Sequence, residues 1–386
     1  MPVLVIFDDE YTENLRPLTS IMPCCEISLG IFKLRHMLED MLSTAGITIT
    51  RRVILIQKNL EKYINVIFNI DDYDIKLDKI DDDVLFVNSR VVPSPQLLDI
   101  LIKIAKGVYC NVIDYATSKI LLSFVPLKFL HNYIPLEHEF PYRKILKEFP
   151  NLYVTGIPIL HRPGDIIKYS LNSIRREINL MLRLGNYEKF SRSTFVGKNT
   201  YIESNILMDD SWGPILVGKD IYIEAGSIIR GPCIIGDNTY VGKAVIFNSI
   251  IGQNSVIGGN ISTSVISDNT YIGSFSLVAR SYISFFSIIG TGTMISTNRI
   301  IKRKDSEQVG LITGPFTIIG PKCILPAGTL LPPFSVVQTM TPGAIAISPF
   351  IKKELDVCKR EEVLRVVNWF KEYLKAIVEG IRHDNR

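Results

Sequence analysis

From residue 195 onward, a pair made of one aliphatic residue and one glycine returns at short, regular intervals. It reads Val196-Gly197, Val217-Gly218, Ile235-Gly236, Val241-Gly242, Ile251-Gly252, Ile257-Gly258, Ile272-Gly273, Ile289-Gly290 and Ile319-Gly320. Glycines 218, 236 and 242 are separated by multiples of six residues, and so are 252 and 258. Small polar residues fill the intervals, as in Gly236-Asp237-Asn238-Thr239-Tyr240-Val241. This six-residue period predicts a left-handed parallel β-helix. Each unit makes one flat side and one corner, and its aliphatic side chain turns inward, where stacked coils bury it. Gly, Asn and Asp are expected at the corners because they tolerate left-handed backbone angles. Three sides make a coil of about 18 residues, so residues 195–334 hold about seven coils plus excursions. Such a coil departs from the right-handed rule for crossover connections. A β-sandwich also has regularly spaced turns, but no fixed six-residue period.

The period breaks between residues 299 and 314, where Arg299, Lys302, Arg303, Lys304, Asp305 and Glu307 are charged. Charge is costly inside an apolar prism, so an external loop is expected there. Coils should resume at Ile318, and Pro332-Pro333 should end the stack. Further on, Val363, Val366, Val367, Phe370, Tyr373, Leu374, Ile377, Val378 and Ile381 recur at helical spacing, flanked by Trp369. Residues 351–386 are therefore expected to carry a C-terminal amphipathic helix, packed on the prism or on a partner chain. Its polar face mixes Glu361, Glu362, Glu372 and Glu379 with Lys and Arg, which disfavours a membrane-surface role.

The first 190 residues read differently. Short apolar runs at 2–7, 52–57, 84–88 and 119–125 predict strands, and 34–42 and 97–104 predict helices. This alternation predicts an α/β wound, mainly parallel sheet. Residues 70–83 are rich in Asp and read as a solvated loop or edge. Residues 165–184 predict a helix crossing to the prism. The expected domains are thus 1–190, 191–350 and 351–386.

Lys and Arg total 43 against 39 Asp and Glu, a net charge of only +4. A nucleic-acid partner needs a clustered basic face, so none is expected. The long uncharged stretches are broken by proline, glycine, serine and threonine, so no membrane-spanning helix is expected. The start of the chain lacks a basic region and a cleavage site, so no signal peptide is expected. Six cysteines without a CxxC pair indicate neither a zinc cage nor a disulfide scaffold. A cytoplasmic location fits these features. The histidines His36, His131, His138, His161 and His383 show no metal-ligand spacing.

Certain local motifs carry a family resemblance. They are Leu15-Arg16-Pro17-Leu18-Thr19, the run from Leu85 to Arg90 after a strand, and Arg162-Pro163-Gly164-Asp165-Ile166-Ile167 at the crossing helix. Asn248-Ser249-Ile250-Ile251, and the run from Gly290 to Thr293 followed by Thr297-Asn298-Arg299, add to them. With the domain order, the chain resembles the sugar-1-phosphate nucleotidyltransferases that carry a hexapeptide β-helix domain. The nearest pattern is the bifunctional N-acetylglucosamine-1-phosphate uridylyltransferase/glucosamine-1-phosphate acetyltransferase group. The resemblance implies a nucleotidyltransferase-like first domain that binds a sugar phosphate and a nucleotide, with Mg2+ for nucleotidyl transfer. It also implies a trimeric β-helix and acetyl-CoA for acyl transfer.

The residues that would serve these roles are Asp8, Asp9, Arg16 and Asp165 in catalysis, with Asp8 and Asp9 as metal ligands and Arg16 as a phosphate contact. Asn298, Arg299, Lys302, Arg303 and Lys304 would hold the acyl-donor cofactor. The sequence departs from that pattern in several places. Relatives have a glycine-rich phosphate loop after the first strand, whereas here Asp8-Asp9-Glu10-Tyr11-Thr12-Glu13-Asn14 holds no glycine. They carry an acid where Arg90 stands, a lysine near Cys24-Cys25, and a coil histidine where Ser274 falls. The alternatives are therefore a CoA-dependent acyltransferase only, or a non-catalytic scaffold or regulatory homologue.

Overall fold

The computed structural model describes residues 2–61, 81–130, 147–295, 309–341 and 344–349, with a few positions between these and six helical positions from Arg365 to Ala376. The C-terminal amphipathic helix therefore lies largely outside the described residues, as do Asn298, Arg299, Lys302, Arg303, Lys304 and most of the acidic stretch 70–80. By packing, the chain forms two units that divide after Arg162. The helix from Pro163 goes with the second unit, and so do two short earlier segments, Arg16–Ser20 and Ser28–Ile31.

The first unit is built on a six-stranded sheet. Its strands are β1 (Val3–Phe7), β2 (Arg51–Leu55), β3 (Val84–Asn88), β4 (Asn111–Asp114), β5 (Ile120–Val125) and β6 (Asn151–Val154). β1, β3 and β5 are buried along their whole length, as befits apolar runs covered on both faces. Helix α1 (Leu34–Thr44) buries Leu34, Met37, Leu38, Met41 and Leu42, the spacing of one helical face. Helix α2 (Pro95–Ile104) starts on Ser94, whose side chain accepts the Leu97 N–H, with proline in the first turn.

The strand order is β2-β1-β3-β5-β4-β6. β1 is parallel to β2 and β3, whereas β5 is antiparallel to both β3 and β4. The expected wound sheet is thus mixed. The cause is the short link from β4 to β5, which is too short for a crossover and closes a hairpin instead.

The second unit opens with α3 (Pro163–Leu184), whose buried residues Ile166, Ile167, Ser170, Ser173, Ile174, Glu177 and Ile178 form one stripe. After it, short strands stack in register into three parallel ladders, which makes a parallel β-helix of triangular section. One ladder runs through Val217, Ile235, Ile251, Ile266 and Ile283. The second runs through Ile202, Ile223, Val241, Ile257, Ile272, Ile289, Ile319 and Val337. The third runs through Met208, Ile229, Ile246, Ile261 and Val278. These residues meet in one apolar cluster inside the prism. On the first two sides, eight of these thirteen are the aliphatic members of the repeating pairs; Ile202, Ile223, Ile266, Ile283 and Val337 fill the same inward position without the glycine.

The glycines of those pairs do a different job from the one expected. None of Gly197, Gly218, Gly236, Gly252, Gly273, Gly290 and Gly320 has a positive φ. The left-handed residue stands two places later: Asn199, Asp220, Asn238 and Asn254 have φ of 55–56°. The glycines are needed for close approach instead. A Cβ on Gly236 would lie 2.6 Å from the Gln253 nitrogen and 2.7 Å from the Gly252 carbonyl carbon, one coil away.

Two further expectations are corrected. The coils resume at Leu311–Thr313, before Ile318, because Gly310 lies against the neighbouring coil and donates to the Arg280 carbonyl at 2.7 Å. Pro332-Pro333 does not end the stack, since Ser335–Thr341 pairs with the coil beneath it and then turns back antiparallel as Ala344–Pro349. Among the described residues no helix is long and apolar enough to cross a membrane.

Candidate functional site

In the first unit, β1 and β3 run parallel and in register, so both chains leave the sheet at the same edge. Pockets of open α/β sheets form at the carboxyl ends of strands, which is where Asp8, Asp9, Ser89 and Arg90 fall. The Ser89 N–H donates to the Phe7 carbonyl at 2.9 Å and ties the two strand ends together.

Asp9 is fully engaged. Arg90 Nε donates to its Oδ1 at 2.7 Å and a terminal Arg90 nitrogen donates to its Oδ2 at 2.5 Å. The Tyr11 N–H reaches Oδ1 at 3.1 Å and the Asn88 amide reaches Oδ2 at 2.9 Å. Burial pulls the Asp9 pKa up, but the Arg90 hydrogen bonds and charge, with Asn88, outweigh it and hold the carboxyl below its ordinary value. Arg90 itself is 2% exposed, and its other terminal nitrogen donates to the Leu160 carbonyl at 2.7 Å.

Asp8 is the opposite case. Burial pushes its pKa up to about 6, with the Asp9 charge adding to it and the Ser89 hydroxyl opposing it. Ser89 donates to Oδ1, while Oδ2 is buried without a hydrogen-bond partner. The buried Cys24 thiol is held well above its usual range by burial, with the Asp8 charge adding to the shift. Outside this core, Tyr11 lies beneath two cations, Arg90 at 5.4 Å and Lys119 at 4.8 Å from the ring centroid. Nearby, buried Glu26 pairs with Arg35 and Lys33 at 2.5 and 2.6 Å.

A divalent cation does not fit this arrangement. A carboxylate offers about four lone-pair positions, and all four on Asp9 already take donors. Asp8 keeps one unpartnered oxygen, and among the described residues no group of three or more acids, histidines or cysteines is placed to hold a metal ion. The guanidinium of Arg90 supplies the positive charge beside Asp9. The structure thus brings Asp8 and Asp9 together, while Arg16 and Asp165 pack with the second unit. Arg16 is exposed and Asp165 is buried in the first turn of α3. Asn88 and Ser89 lay within the Leu85–Arg90 motif and Tyr11 within the acidic run, but their roles, like that of Lys119, were not legible, because they depend on the β1–β3 register.

The second unit holds its own buried acid. Glu177 of α3 is 1% exposed and accepts the Ile31 N–H at 2.8 Å and the Ser173 hydroxyl. Gly30, with φ +98°, lies directly against the carboxylate. Burial drives the Glu177 pKa up to about 7, opposed by Ser173, Ile31 and the Arg176 charge. The folded chain therefore binds this proton more tightly than the unfolded chain does. Between pH 4.5 and about 7 that excess proton makes stability fall as pH rises. A melting temperature that declines over this window, and a flatter profile for Glu177→Gln, are expected from thermal scans; equal slopes for both proteins would refute the assignment.

Residues 4–183 match the family model described as sugar nucleotidyl transferase. No curated protein matches the chain at a significant level. Among solved structures, a UDP-N-acetylglucosamine acyltransferase from Campylobacter jejuni is similar at 16% identity and a TM-score of 0.31, over 47% of this chain and 80% of that one.

Proposed function

We propose that this protein is a cytoplasmic transferase of nucleotide-sugar metabolism, with a first domain that takes a sugar 1-phosphate and a nucleoside triphosphate. The observation that carries this reading is the family match over residues 4–183, which covers nearly all of the first unit and of α3. The reaction would be in-line attack of a sugar-phosphate oxygen on the α-phosphorus, with pyrophosphate leaving.

Asp8, whose buried Oδ2 lacks a hydrogen-bond partner, is the proposed acceptor of a sugar or ribose hydroxyl, a role that requires the site to open around it. Asp9 and Arg90 hold the end of β1 in place. Arg16 is the proposed phosphate contact, and Asp165 is retained as a catalytic candidate on the resemblance alone. Magnesium has no place between Asp8 and Asp9 as they stand, so no step is assigned to it.

The test is pyrophosphate release from panels of sugar 1-phosphates and nucleoside triphosphates. Release that falls at least tenfold in Asp8→Asn, with folding unchanged by circular dichroism, is expected. No release from any pair would overturn the reading.

A second reading is a nucleotide-sugar-binding subunit without turnover. The Asp9–Arg90 pair favours it, because it occupies the carboxylate oxygens that a metal-dependent transferase would need open. Binding of nucleotide without release would select it. The acyl-transfer reading, with acetyl-CoA held by Asn298, Arg299, Lys302, Arg303 and Lys304, requires heat of acetyl-CoA binding in calorimetry.

The β-helix is proposed to assemble as a homotrimer. Its outward ladder Leu277, Met294 and Ile324 stands in register and is 37%, 48% and 63% exposed. Apolar rows of this kind need cover. Light scattering at one chain mass would exclude the trimer.

A further inference from the structure

The segment Ser28–Ile31 packs with the second unit and closes over Glu177 of α3. We propose that the two form a proton-operated latch: the neutral carboxyl clamps the segment on α3, and loss of its proton loosens the clamp. This latch is independent of the transfer reading.

The seat is made by the main chain. The Ile31 N–H donates to Glu177 Oε2 at 2.8 Å. Gly30 lies so close over the carboxyl that a Cβ there would stand 2.1 Å from Oε1 and 2.4 Å from Cδ. Its φ of +98° lies in the left-handed region, which glycine adopts freely. Two further contacts hold the segment: Leu29 is fully buried, and the Ser28 carbonyl accepts the Tyr282 hydroxyl at 3.4 Å. Packing seats the segment, and the carboxyl decides how firmly.

A hydroxyl behind the carboxyl suits the neutral form. Ser173 reaches both Glu177 Oε1 and the Ser170 carbonyl, the latter at 2.8 Å, but has one hydrogen to give. A protonated Glu177 donates to Ser173 Oγ, Ser173 donates to Ser170, and Oε2 still accepts from Ile31. An ionised Glu177 draws the Ser173 hydrogen away from Ser170 and leaves a charge buried, which costs far more than a buried neutral group. Opening the segment returns that charge to water.

Little around Glu177 offsets an ionised carboxyl. On α3, the exposed Arg176 supplies the charge that opposes burial. The helix packs on the coil strands Ile228–Ile235, Val245–Ile251, Val265–Ile266 and Tyr282–Ile283, whose titratable side chains are Arg230, Cys233 and Tyr282. The Arg230 side chain is half-exposed and lies 3.8 Å from Asp209. Burial pushes Cys233 and Tyr282 up to about 12, so both stay neutral. Ser28–Ile31 itself carries no titratable side chain, and at its base Glu26 pairs with Lys33 and Arg35.

The closed latch holds the Glu177 proton up to about pH 7, whereas the open one releases it near 4.5. Protection of the Ile31 amide should therefore fall as pH rises across this window, by up to about 300-fold, and level off above it. The measurement is hydrogen exchange on the full chain between about pH 4.5 and 8, resolved to Ile31 and corrected for the intrinsic rate. At least a tenfold fall is expected, with Ile31 exchanging faster than the buried prism amides at each pH, the mark of local opening. Glu177→Gln keeps an acceptor for Ile31 and a donor for Ser173 but cannot ionise, so its protection should stay high throughout. Gly30→Ala should lower protection at every pH. Asp8→Asn, His36→Gln and His161→Gln, which remove other ionisable groups, should keep the transition. A flat parent profile, a transition that persists in Glu177→Gln or vanishes in one of those three variants, full protection in Gly30→Ala, or an Ile31 amide that opens only with the prism would overturn the proposal. Glu177→Gln decides the matter should Gly30→Ala fail to fold.

Discussion

Replacing Arg90 with Ala is expected to destabilise the first unit by about 3–5 kcal/mol, the range for removing one partner of a buried ion pair. Arg90 and Asp9 side chains are 3% and 13% exposed, so solvent screens the pair little. The substitution strands the Asp9 carboxylate in a low-dielectric site and leaves the Leu160 carbonyl without its donor. It also loosens the link between β3 and the segment after β1. The direction is not that of a mere lost contact, since a pair that breaks evenly costs far less than one left half-broken. Asp9→Asn combined with Arg90→Met should therefore regain most of the loss.

The Asp9 pKa is depressed, so the pair's contribution is present above the unfolded value of 3.8 and is lost as pH falls below it. Hydrogen exchange of the β1 and β3 amides at neutral pH measures the opening free energy. A loss under about 1 kcal/mol for Arg90→Ala would show that the pair is relaxed by solvent. It would also reopen Asp9 as a site for a cation.

Gly236→Ala is expected to cost about 3 kcal/mol or more in the β-helix, at the upper end of overpacking penalties. The new methyl group would press on backbone atoms of the next coil, at 2.6 Å from the Gln253 nitrogen and 2.7 Å from the Gly252 carbonyl carbon. Backbone atoms locked in a ladder cannot step aside as a side chain can, so the coils must part. Two other glycines serve as controls. Gly226 has φ +85° and nothing within 4 Å of a Cβ, so Gly226→Ala tests backbone strain alone, about 1–2 kcal/mol. A Cβ on Gly242 would meet the Glu224 carboxylate at 2.9 Å, a group that can move, so Gly242→Ala should cost least. Urea unfolding followed through Trp212 should rank the three in that order. A Gly236→Ala loss no larger than that of Gly226→Ala would mean that corner angles, not coil spacing, fix these glycines.

The same contrast explains how far the chain could be read without coordinates. The aliphatic-glycine pairs announced the parallel β-helix because one interior position per side recurs in each coil, and Ile235, Ile251 and Ile257 are indeed fully buried. The apolar runs of β1 and β3 and the stripe of α3 were legible for the same reason, since burial leaves a periodic trace. Corner geometry left a weaker trace, because glycine can be demanded by a positive φ or by a close neighbour, and one letter does not say which. The antiparallel β5 left none, because strand direction depends on the length of the link before it.

What the chain by itself determined is the prism, its inward residues and the presence of a wound sheet ahead of it, since repetition and apolar runs are properties of order along the sequence. Tertiary structure alone decided that Arg90 closes on Asp9, that Asp8 is left with an unpaired oxygen, and that Glu177 lies against Gly30. Those pairs are separated by 81 residues in the first instance and by 146 between Glu177 and its donor Ile31. Electrostatic partners so distant obey no local period. Their meeting, and the pKa shifts that follow from it, arise only once register and packing have brought them within hydrogen-bonding reach.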